Sequence, residues 1–318
     1  MMVESITYED YLKKARHTFA FCKAEFVKLN QNKVDAVEYL IFKKEGSERF
    51  IVCFGMRDGQ AYCPFSAPFG CPVSLKKELG IMAYDEMLDA LEQYAVANGW
   101  KSIHWILPPA FYCEDEITGW VSSLYRREYK FINIDINYAF DLQEVNCDNY
   151  EKLIHHNARK NLRIALNSDL KLCLCETDRD KETAYQIIAE NRADKGYPLR
   201  MTYQQVCDTV QIIPHEFFLV EKNHQKIAAA LVYRIDEKIA QVIYWGDRLK
   251  YREYKTINFL SYQLIHYYGK KNLKYLDIGP STENSIPNYG LCDFKESIGC
   301  RRSLKYTMAK DLCGPHNE

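Results

Sequence analysis

Four basic side chains lie within one short stretch in the second half of the chain. They follow an apolar run that ends at Gly246 and precede a segment with helical spacing: Arg248, Lys250, Arg252 and Lys255. Cations before a helix can bind an anion, because the helix amino terminus also carries partial positive charge. The stretch contains no glycine, so its backbone approaches a phosphate less closely. It predicts either a phosphate site that uses side-chain charge or an exposed basic loop.

Two carboxylates follow further along the chain. Asp277 ends a short apolar strand, and Glu283 lies in the loop beyond it. Strand ends in α/β domains often face ligands, so each carboxylate is a candidate general base. Alternatively, Asp277 caps the turn after its strand.

Motifs of several other enzyme classes are absent from the sequence. It contains no G-x-S-x-G elbow, no P-loop and no HExxH pair. The 12 cysteines include no CxxC pair and no Cys/His cluster at zinc spacing, so we expect no metal site. With Lys+Arg 42 against Asp+Glu 43, the net charge of -1 predicts no general attraction to DNA or to an anionic membrane.

Length and composition predict a globular protein with two domains. A chain of 318 residues is long for one core, and 47% hydrophobic with 27% charged residues is typical of folded chains. The first residues lack the pattern of a signal peptide, and no apolar run approaches the roughly 20 residues of a membrane helix. We therefore expect a cytoplasmic protein with reduced thiols.

The predicted elements after residue 146 place the basic loop between a strand and a helix. A basic helix at 149–167 and helices at 183–195 and 202–210 come first. The remaining predictions are strands at 217–220, 227–233 and 239–244, a helix at 257–269, a strand at 275–278, a helix at 288–298 and a strand at 301–309. We expect Gly269 to end its helix in a left-handed conformation.

The first half passes through a similar series of elements. We predict a helix over residues 1 to about 30, strands at 37–42, 50–54 and 60–62, a helix at 84–97, a strand at 102–107, a short helix at 124–130 and a strand at 131–138. In the last strand we expect the isoleucines on one side, with Asn133, Asp135 and Asn137 facing solvent. The polar join at 143–148 predicts domains at 1–145 and 146–318.

Several of these segments resemble one enzyme family. The string from Phe294 to Gly299, FKESIG, resembles the FK-x-x-[FI]-G signature of Fem-type peptidyltransferases and their acyltransferase relatives. The loop Pro64–Gly70 and the Arg-rich segment Arg159–Leu170 are also similar to Fem-like proteins, and the order of elements after residue 239 resembles the cofactor half of a GNAT N-acyltransferase. The resemblance implies an α/β (α+β) fold class with two tandem GNAT-like domains, each a mixed, mostly antiparallel sheet flanked by helices.

The resemblance also implies roles for individual residues. Lys295 would stabilise the oxyanion of a tetrahedral intermediate, Tyr289 would protonate the leaving group, and Asp277 is the candidate base. Arg200 and Tyr203 resemble an Arg-x-x-x-Tyr substrate pair, although their spacing is one residue short. The donor would bind at positions where GNAT enzymes carry a glycine loop that this chain lacks: Tyr244, Trp245, Gly246, Arg248, Lys250, Arg252, Lys255 and Thr256.

The aromatic loop of the first half has two interpretations. Phe65 and Phe69 are candidate substrate contacts by the same resemblance. Because two prolines and a glycine exclude regular structure there, the alternative is a packed structural loop.

Three functions are compatible with these observations. The first is transfer of an acyl group from acetyl-CoA or another acyl-CoA to a small-molecule or peptide amine, in a cleft between the domains. The second is a Fem-type reaction that uses aminoacyl-tRNA and a cell-wall precursor, against which the neutral net charge argues mildly. The third is an inactive binding protein on the same fold, which the missing glycines favour.

Overall fold

The structure, a computed structural model, describes residues 1–16, 18–77 and 79–312. The chain divides into two compact units. Unit 1 comprises Met1–Ile136, Asn284–Ile286 and the described chain from Ser303 onward, and unit 2 comprises Asn137–Glu283 and Pro287–Arg302. The domain boundary at 145 and 146 stays a prediction. Within the described ranges, no helix is long and apolar enough to cross a membrane.

The described residues form fifteen strands, ten α-helices and four short 3-10 helices. The strands are β1 (Met2–Ser5), β2 (Ala36–Lys44), β3 (Ser47–Arg57), β4 (Gln60–Cys63), β5 (Val73–Ser74), β6 (Ser102–Ile106), β7 (Lys130–Asp141), β8 (Lys171–Leu174), β9 (His215–Lys222), β10 (Gln225–Arg234), β11 (Ile239–Asp247), β12 (Tyr275–Pro280), β13 (Thr282–Glu283), β14 (Ile286–Pro287) and β15 (Arg301–Asp311). The helices are α1 (Tyr8–Lys14), α2 (Ala24–Asn30), α3 (Ile81–Ala97), α4 (Glu114–Arg126), α5 (Tyr150–Leu153), α6 (His156–Leu166), α7 (Asp178–Asp194), α8 (Tyr203–Val210), α9 (Thr256–Gly269) and α10 (Tyr289–Ser297).

Unit 1 has a mixed sheet in the order β1-β2-β3-β4-β6-β15. All neighbouring pairs are antiparallel except β4 and β6, which are parallel. Large aromatic side chains fill its core, and the rings of Phe54 and Trp105 have their centres 5.0 Å apart in an edge-on contact. Such pairs add to the stabilisation that apolar burial provides.

Unit 2 has a mixed sheet in the order β7-β12-β11-β10-β9-β8. Here too every pair is antiparallel except one, the parallel pair β11 and β12. Helix α7 packs on β10 and β11, and α9 packs on the same strands and on α6. The apolar residues of β10 are fully buried, as expected for a central strand.

The two sheets follow the same plan down to the register of their strands. In unit 1, Ser102 is paired with Gln60 and with Asp311. At the corresponding place in unit 2, Tyr275 is paired with Ile239 and with Asp141. Two residues further along, His104 therefore occupies the position that Asp277 has in unit 2. The two units are structural repeats of one another, although they share little sequence.

The correspondence continues through the helix that follows each parallel pair. The backbone N–H of Tyr129 donates to the carbonyl of Leu124 at 3.0 Å, and that of Cys300 donates to the carbonyl of Lys295 at 3.0 Å. A left-handed residue lies inside each turn, Glu128 with φ 66° and Gly299 with φ 89°. By this pattern, Leu124 is the unit 1 equivalent of Lys295.

Several predicted elements differ from the structure. The segment predicted as one helix over residues 1–30 is a strand followed by α1 and α2; Thr7 does cap α1, accepting a hydrogen bond from the Asp10 N–H at 3.1 Å. The basic helix at 149–167 is interrupted at Ile154, whose backbone is extended. Helices α4 and α7 begin before their predicted starts at 124 and 183.

A further correction concerns Gly269. It lies within the last turn of α9 and has no positive φ, and the left-handed residue after the helix is Asn272, with φ 55°. Asparagine tolerates this conformation better than most residues other than glycine.

Candidate active site

Lys295 is buried in unit 2 with 2% of its surface exposed. Its ammonium group donates hydrogen bonds to three successive carbonyls at the end of β12: those of Ile278 at 3.1 Å, Gly279 at 2.8 Å and Pro280 at 3.0 Å. The nitrogen also lies 5.4 Å from the centre of the Tyr138 ring. Helix α10 thus holds a positive charge against the carboxyl end of a strand.

Burial lowers the pKa of Lys295 to about 8, because removal from water disfavours the charged form. Cys300, Asp277 and Cys292 act in the opposite direction, and the charge of Arg192 adds to the lowering. A shift of this size corresponds to about 3 kcal/mol against the ammonium form in the folded protein. Such a lysine can carry a charge or release a proton close to neutral pH.

Asp277 lies beside this lysine and is fully buried. Its carboxylate accepts hydrogen bonds from the side-chain amides of Asn137 at 2.6 Å and Gln241 at 2.9 Å, and from the backbone N–H of Gly279 at 2.7 Å. Among the described residues, the amide oxygens of Asn137 and Gln241 have no hydrogen-bond partner. The network fixes the carboxylate and leaves two buried acceptors next to it.

The equivalent positions of unit 1 carry different chemistry. Leu124 replaces Lys295 and is 1% exposed, and His104 replaces Asp277. The same turn and strand end therefore form around an apolar side chain, so the fold does not require a lysine there. Because burying an ammonium group is costly, its presence in unit 2 points to chemistry rather than to stability.

The start of α9 is occupied by a carboxylate of the chain itself. Asp247 is buried and accepts hydrogen bonds from the Thr256 hydroxyl at 2.6 Å and from the Asn191 amide at 3.1 Å. The Asn191 amide also donates to the Asp247 carbonyl at 2.5 Å. Gly246 permits this approach, because a Cβ there would lie 2.7 Å from the Cβ of Asn191. Predicted donor residues Gly246 and Thr256 thus lie in an internal polar network.

The predicted basic loop forms the 3-10 helix Leu249–Tyr254, and Lys255 follows it with φ 51°. Arg248 makes a bidentate ion pair with Glu190 at 2.7 and 3.2 Å. Arg248 and Lys250 line an open depression together with Glu190 and Asp194. Two positive and two negative charges leave this depression without a net attraction for anions.

Two predicted donor residues, Tyr244 and Trp245, contact neighbouring helices through their rings. Tyr244 is buried, and the guanidinium carbon of Arg192 is 5.3 Å from the centre of its ring. Trp245 is partly buried, with its ring centre 6.5 Å from that of Phe294 on α10. The Trp245–Phe294 contact connects the end of β11 with the helix that carries Lys295, and the Tyr244–Arg192 contact connects it with α7.

Tyr289 and Lys295 are not brought together. They lie six residues apart on α10, which corresponds to roughly 9 Å along the helix axis and about 120° around it. Tyr289 is 73% exposed at the first turn. The adjacent Asn288 caps the helix, accepting from the Leu291 N–H at 3.1 Å, and its amide donates to the Tyr197 hydroxyl at 3.1 Å.

The predicted substrate pair lies at the surface. Arg200 forms an exposed ion pair with Glu283 at 2.8 Å. The Tyr203 hydroxyl donates to the Asp178 carbonyl at 3.3 Å, and its ring is 5.2 Å from that of Tyr185. Exposed ion pairs of this kind contribute little to stability, so Arg200 can exchange Glu283 for a ligand at small cost.

Phe65 and Phe69 of unit 1 are packed against the protein itself. Phe69 is fully buried, with its ring centre 5.2 Å from that of Phe21 and 5.1 Å from that of Tyr112. The ring of Phe65 covers Gly55, where a Cβ would lie 2.4 Å from it. These contacts favour the interpretation of residues 64–70 as a structural loop.

The sequence prediction missed Asn137, Gln241, Asn191 and Arg192. Asn137 was assigned to the solvent side of its strand but is 1% exposed. Gln241 was one residue in an apolar strand, and a single polar residue in such a strand is the signal that could have identified it.

In the described part of the chain no group of His, Cys, Asp and Glu side chains could hold a metal ion.

The sequence matches no family model and no curated protein, but solved structures share the fold. FemX superposes with a TM-score of 0.70 at 12% identity, covering 98% of this chain and 97% of its own. The C-terminal domain of a putative lysylphosphatidylglycerol synthetase from Agrobacterium fabrum gives 0.62 at 11% identity, covering 96% and 93%. A tandem GNAT protein from the clavulanic acid biosynthesis pathway gives 0.53 at 8%, covering 99% of each chain.

These comparisons confirm the predicted fold class. The chain has the fold of the Fem-like, tandem GNAT-type acyltransferases, with a mixed sheet and flanking helices in each unit. At such low identity the similarity concerns the fold, so the function rests on the residues of the site.

Proposed function

We propose that this protein transfers an acyl group to an amine and that Lys295 stabilises the oxyanion of the reaction. The observation that carries the proposal is a buried ammonium group at a position where the other repeat has a leucine. A positive N–H donor in a water-poor site is suited to a developing oxyanion. One of its three carbonyl bonds would be exchanged for the bond to the substrate oxygen.

In the proposed reaction the amine nitrogen attacks the acyl carbonyl carbon and forms the new C–N bond. The carbonyl oxygen becomes the oxyanion, the amine loses a proton, and the bond to the leaving group breaks as the carbonyl is restored. Asp277 is the proposed proton acceptor. Tyr289 remains a proposal for the group that protonates the leaving atom, and its exposed position requires movement towards the site.

Acetyl-CoA or another acyl-CoA is the first proposed donor, bound along Tyr244, Trp245 and the loop before α9. Thermal unfolding with acetyl-CoA, longer acyl-CoA species and free CoA tests it. Saturation to a hundred times the dissociation constant should stabilise the native state by about 2.7 kcal/mol. The shift should decrease in Arg248→Ala or Lys250→Ala if these side chains bind the pyrophosphate. No shift with any thioester would eliminate this donor.

Aminoacyl-tRNA is the second proposed donor, by similarity to Fem enzymes. The specific observation in its favour is Asp247, whose carboxylate accepts hydrogen bonds at the start of α9, where GNAT enzymes bind pyrophosphate. An anion already present there repels a second one. A thermal shift with an aminoacylated acceptor-stem RNA, together with no thermal shift for any acyl-CoA, would select this donor.

Activity of a Lys295→Met variant tests the role of the lysine. Acylated products from a panel of amines are measured by mass spectrometry, with the donor that the unfolding experiments select. Loss of an oxyanion donor should lower kcat by about 10²–10³-fold. Lys152→Met, a change on the exposed face of α5, is the control and should leave the rate unchanged. Full activity in Lys295→Met would refute the proposed role, and no product with any donor would favour an inactive binding protein.

A further inference from the structure

Arg192 is a half-buried arginine without a carboxylate partner in the part of the chain that the structure describes. It lies in the last turn of α7, and its guanidinium faces the Tyr244 ring. Several other arginines of unit 2 are paired, for example Arg163 with Glu151 and Arg200 with Glu283. A guanidinium has five N–H donors, and contact with a ring face leaves them unbonded. Arg192 therefore presents donors that a ligand can use.

Two more cations lie near Arg192. Lys195 follows one turn later, and Arg252 belongs to the 3-10 helix before α9. Burial lowers the pKa of Lys195; Asp247 opposes this, and the charges of Arg252 and Arg192 add to it. Within residues 1–16, 18–77 and 79–312, neither Lys195 nor Arg252 has a salt-bridge partner. Like charges held together repel, and a bound anion would relieve that repulsion.

The neighbouring positive groups are less available to bind an anion. Arg248 is engaged by Glu190, and the amino terminus of α9 is next to the buried Asp247 carboxylate. Arg192, Lys195 and Arg252 therefore form the local group of cations that have no salt-bridge partner among the described residues. It lies within electrostatic reach of the candidate catalytic amine, since the charge of Arg192 acts on Lys295.

We propose that Arg192, Lys195 and Arg252 bind a phosphate group of one of the two substrates. The planar guanidinium of Arg192 matches two phosphate oxygens, and Lys195 and Arg252 neutralise the remaining charge. A single carboxylate would leave two of the three cations unneutralised. Naming the ligand as a substrate rests on the proposed acyl transfer, whereas anion binding itself can be measured without turnover.

Calorimetric titration of the full-length protein with pyrophosphate tests the site. Arg192→Gln and Lys195→Gln should each weaken binding about tenfold or more, the effect of losing a hydrogen bond to a charged group. Arg163→Gln on α6, which removes an arginine paired with Glu151, is the matched control and should bind as the wild type does. Absence of binding by the wild type, or wild-type affinity in both variants, would overturn the proposal.

Competition against bound pyrophosphate identifies the source of the phosphate. Displacement by CoA but not by pantetheine, which has no phosphate, assigns the site to the donor. Displacement by O-phosphoethanolamine assigns it to a phosphorylated amine acceptor. Displacement by the aminoacylated acceptor-stem RNA assigns it to the aminoacyl-tRNA donor, and displacement by none of these three ligands would overturn the assignment to a substrate. The Lys295→Met variant should bind pyrophosphate normally, so failure of the acyl-transfer proposal is seen separately in the activity assay.

Discussion

Lys295 is charged in a place from which water is largely excluded, and its proposed role in acyl transfer depends on that charge. With a pKa of about 8, the ammonium form predominates at neutral pH and is lost as the pH rises through that value. Only the ammonium form stabilises an oxyanion by charge. The titration of this one group should therefore appear in the kinetics.

The rate of acyl transfer should fall as the pH increases through about 8, with the residual rate of Lys295→Met as its lower limit. A pH profile of kcat measured with the wild type and with Lys295→Arg tests this expectation. An arginine keeps its charge over this range, so any activity that the Arg variant retains should not decline near pH 8. A decline at the same pH in both proteins would assign the titration to another group.

At the scale of elements, the contact between α7 and the end of β11 determines the geometry around α9. Gly246 allows the Asn191 amide to reach Asp247, and Asp247 in turn binds the first residue of α9. This contact orients β11, α7 and α9, which carry Tyr244, Arg192 and Thr256. The basic loop was predicted from local sequence, but the role of Asp247 could not be, because its partner Asn191 is 56 residues away in the chain.

Gly246→Ala should destabilise the protein by about 1–3 kcal/mol, because the new methyl group would overlap the Asn191 side chain. Urea unfolding measures the change. Gly269→Ala is the matched control, since a Cβ there meets no atom within 4 Å and alanine favours a helix. The control should be unchanged or slightly more stable. Equal stability of the two variants would contradict the tight contact at Gly246.

At the scale of the whole molecule, two repeats with the same sheet plan carry different side chains at equivalent positions. Local patterns predicted part of this plan: the three strands β9 to β11 and helices that begin close to Thr202 and Asn288. The order of the elements already indicated two related units, and the register of the strands aligns them residue by residue. This alignment makes Leu124 the structural equivalent of Lys295 and explains why unit 2 is the candidate for catalysis.

The sequence did not predict which strands pair when they are distant in the chain. Residues 131–138 alternate between polar and apolar, which shows that the strand has two faces but not which face is covered. In the structure Ile132 is 55% exposed and Asn137 is buried, because Asp277 on β12 supplies the partner of Asn137. The sheet of unit 1 likewise ends with β15 from the far end of the chain, a pairing that no local pattern encodes.

The most direct test of the account is the free energy of unfolding of Lys295→Leu, measured with urea at pH 7 against the wild type. Replacement removes a buried charge that costs about 3 kcal/mol, while the three carbonyls that lose a donor cost about 1 kcal/mol each where water partly replaces it. Because Leu124 fits the equivalent turn, we predict a variant within about 2 kcal/mol of the wild type, or more stable. Between pH 8 and 10.5 the Lys295 amine is protonated in the unfolded chain but largely deprotonated in the folded protein. The wild type should therefore gain stability relative to the variant as the pH rises. A loss of well over 3 kcal/mol at pH 7 would show that Lys295 maintains the fold, and would contradict its assignment to catalysis.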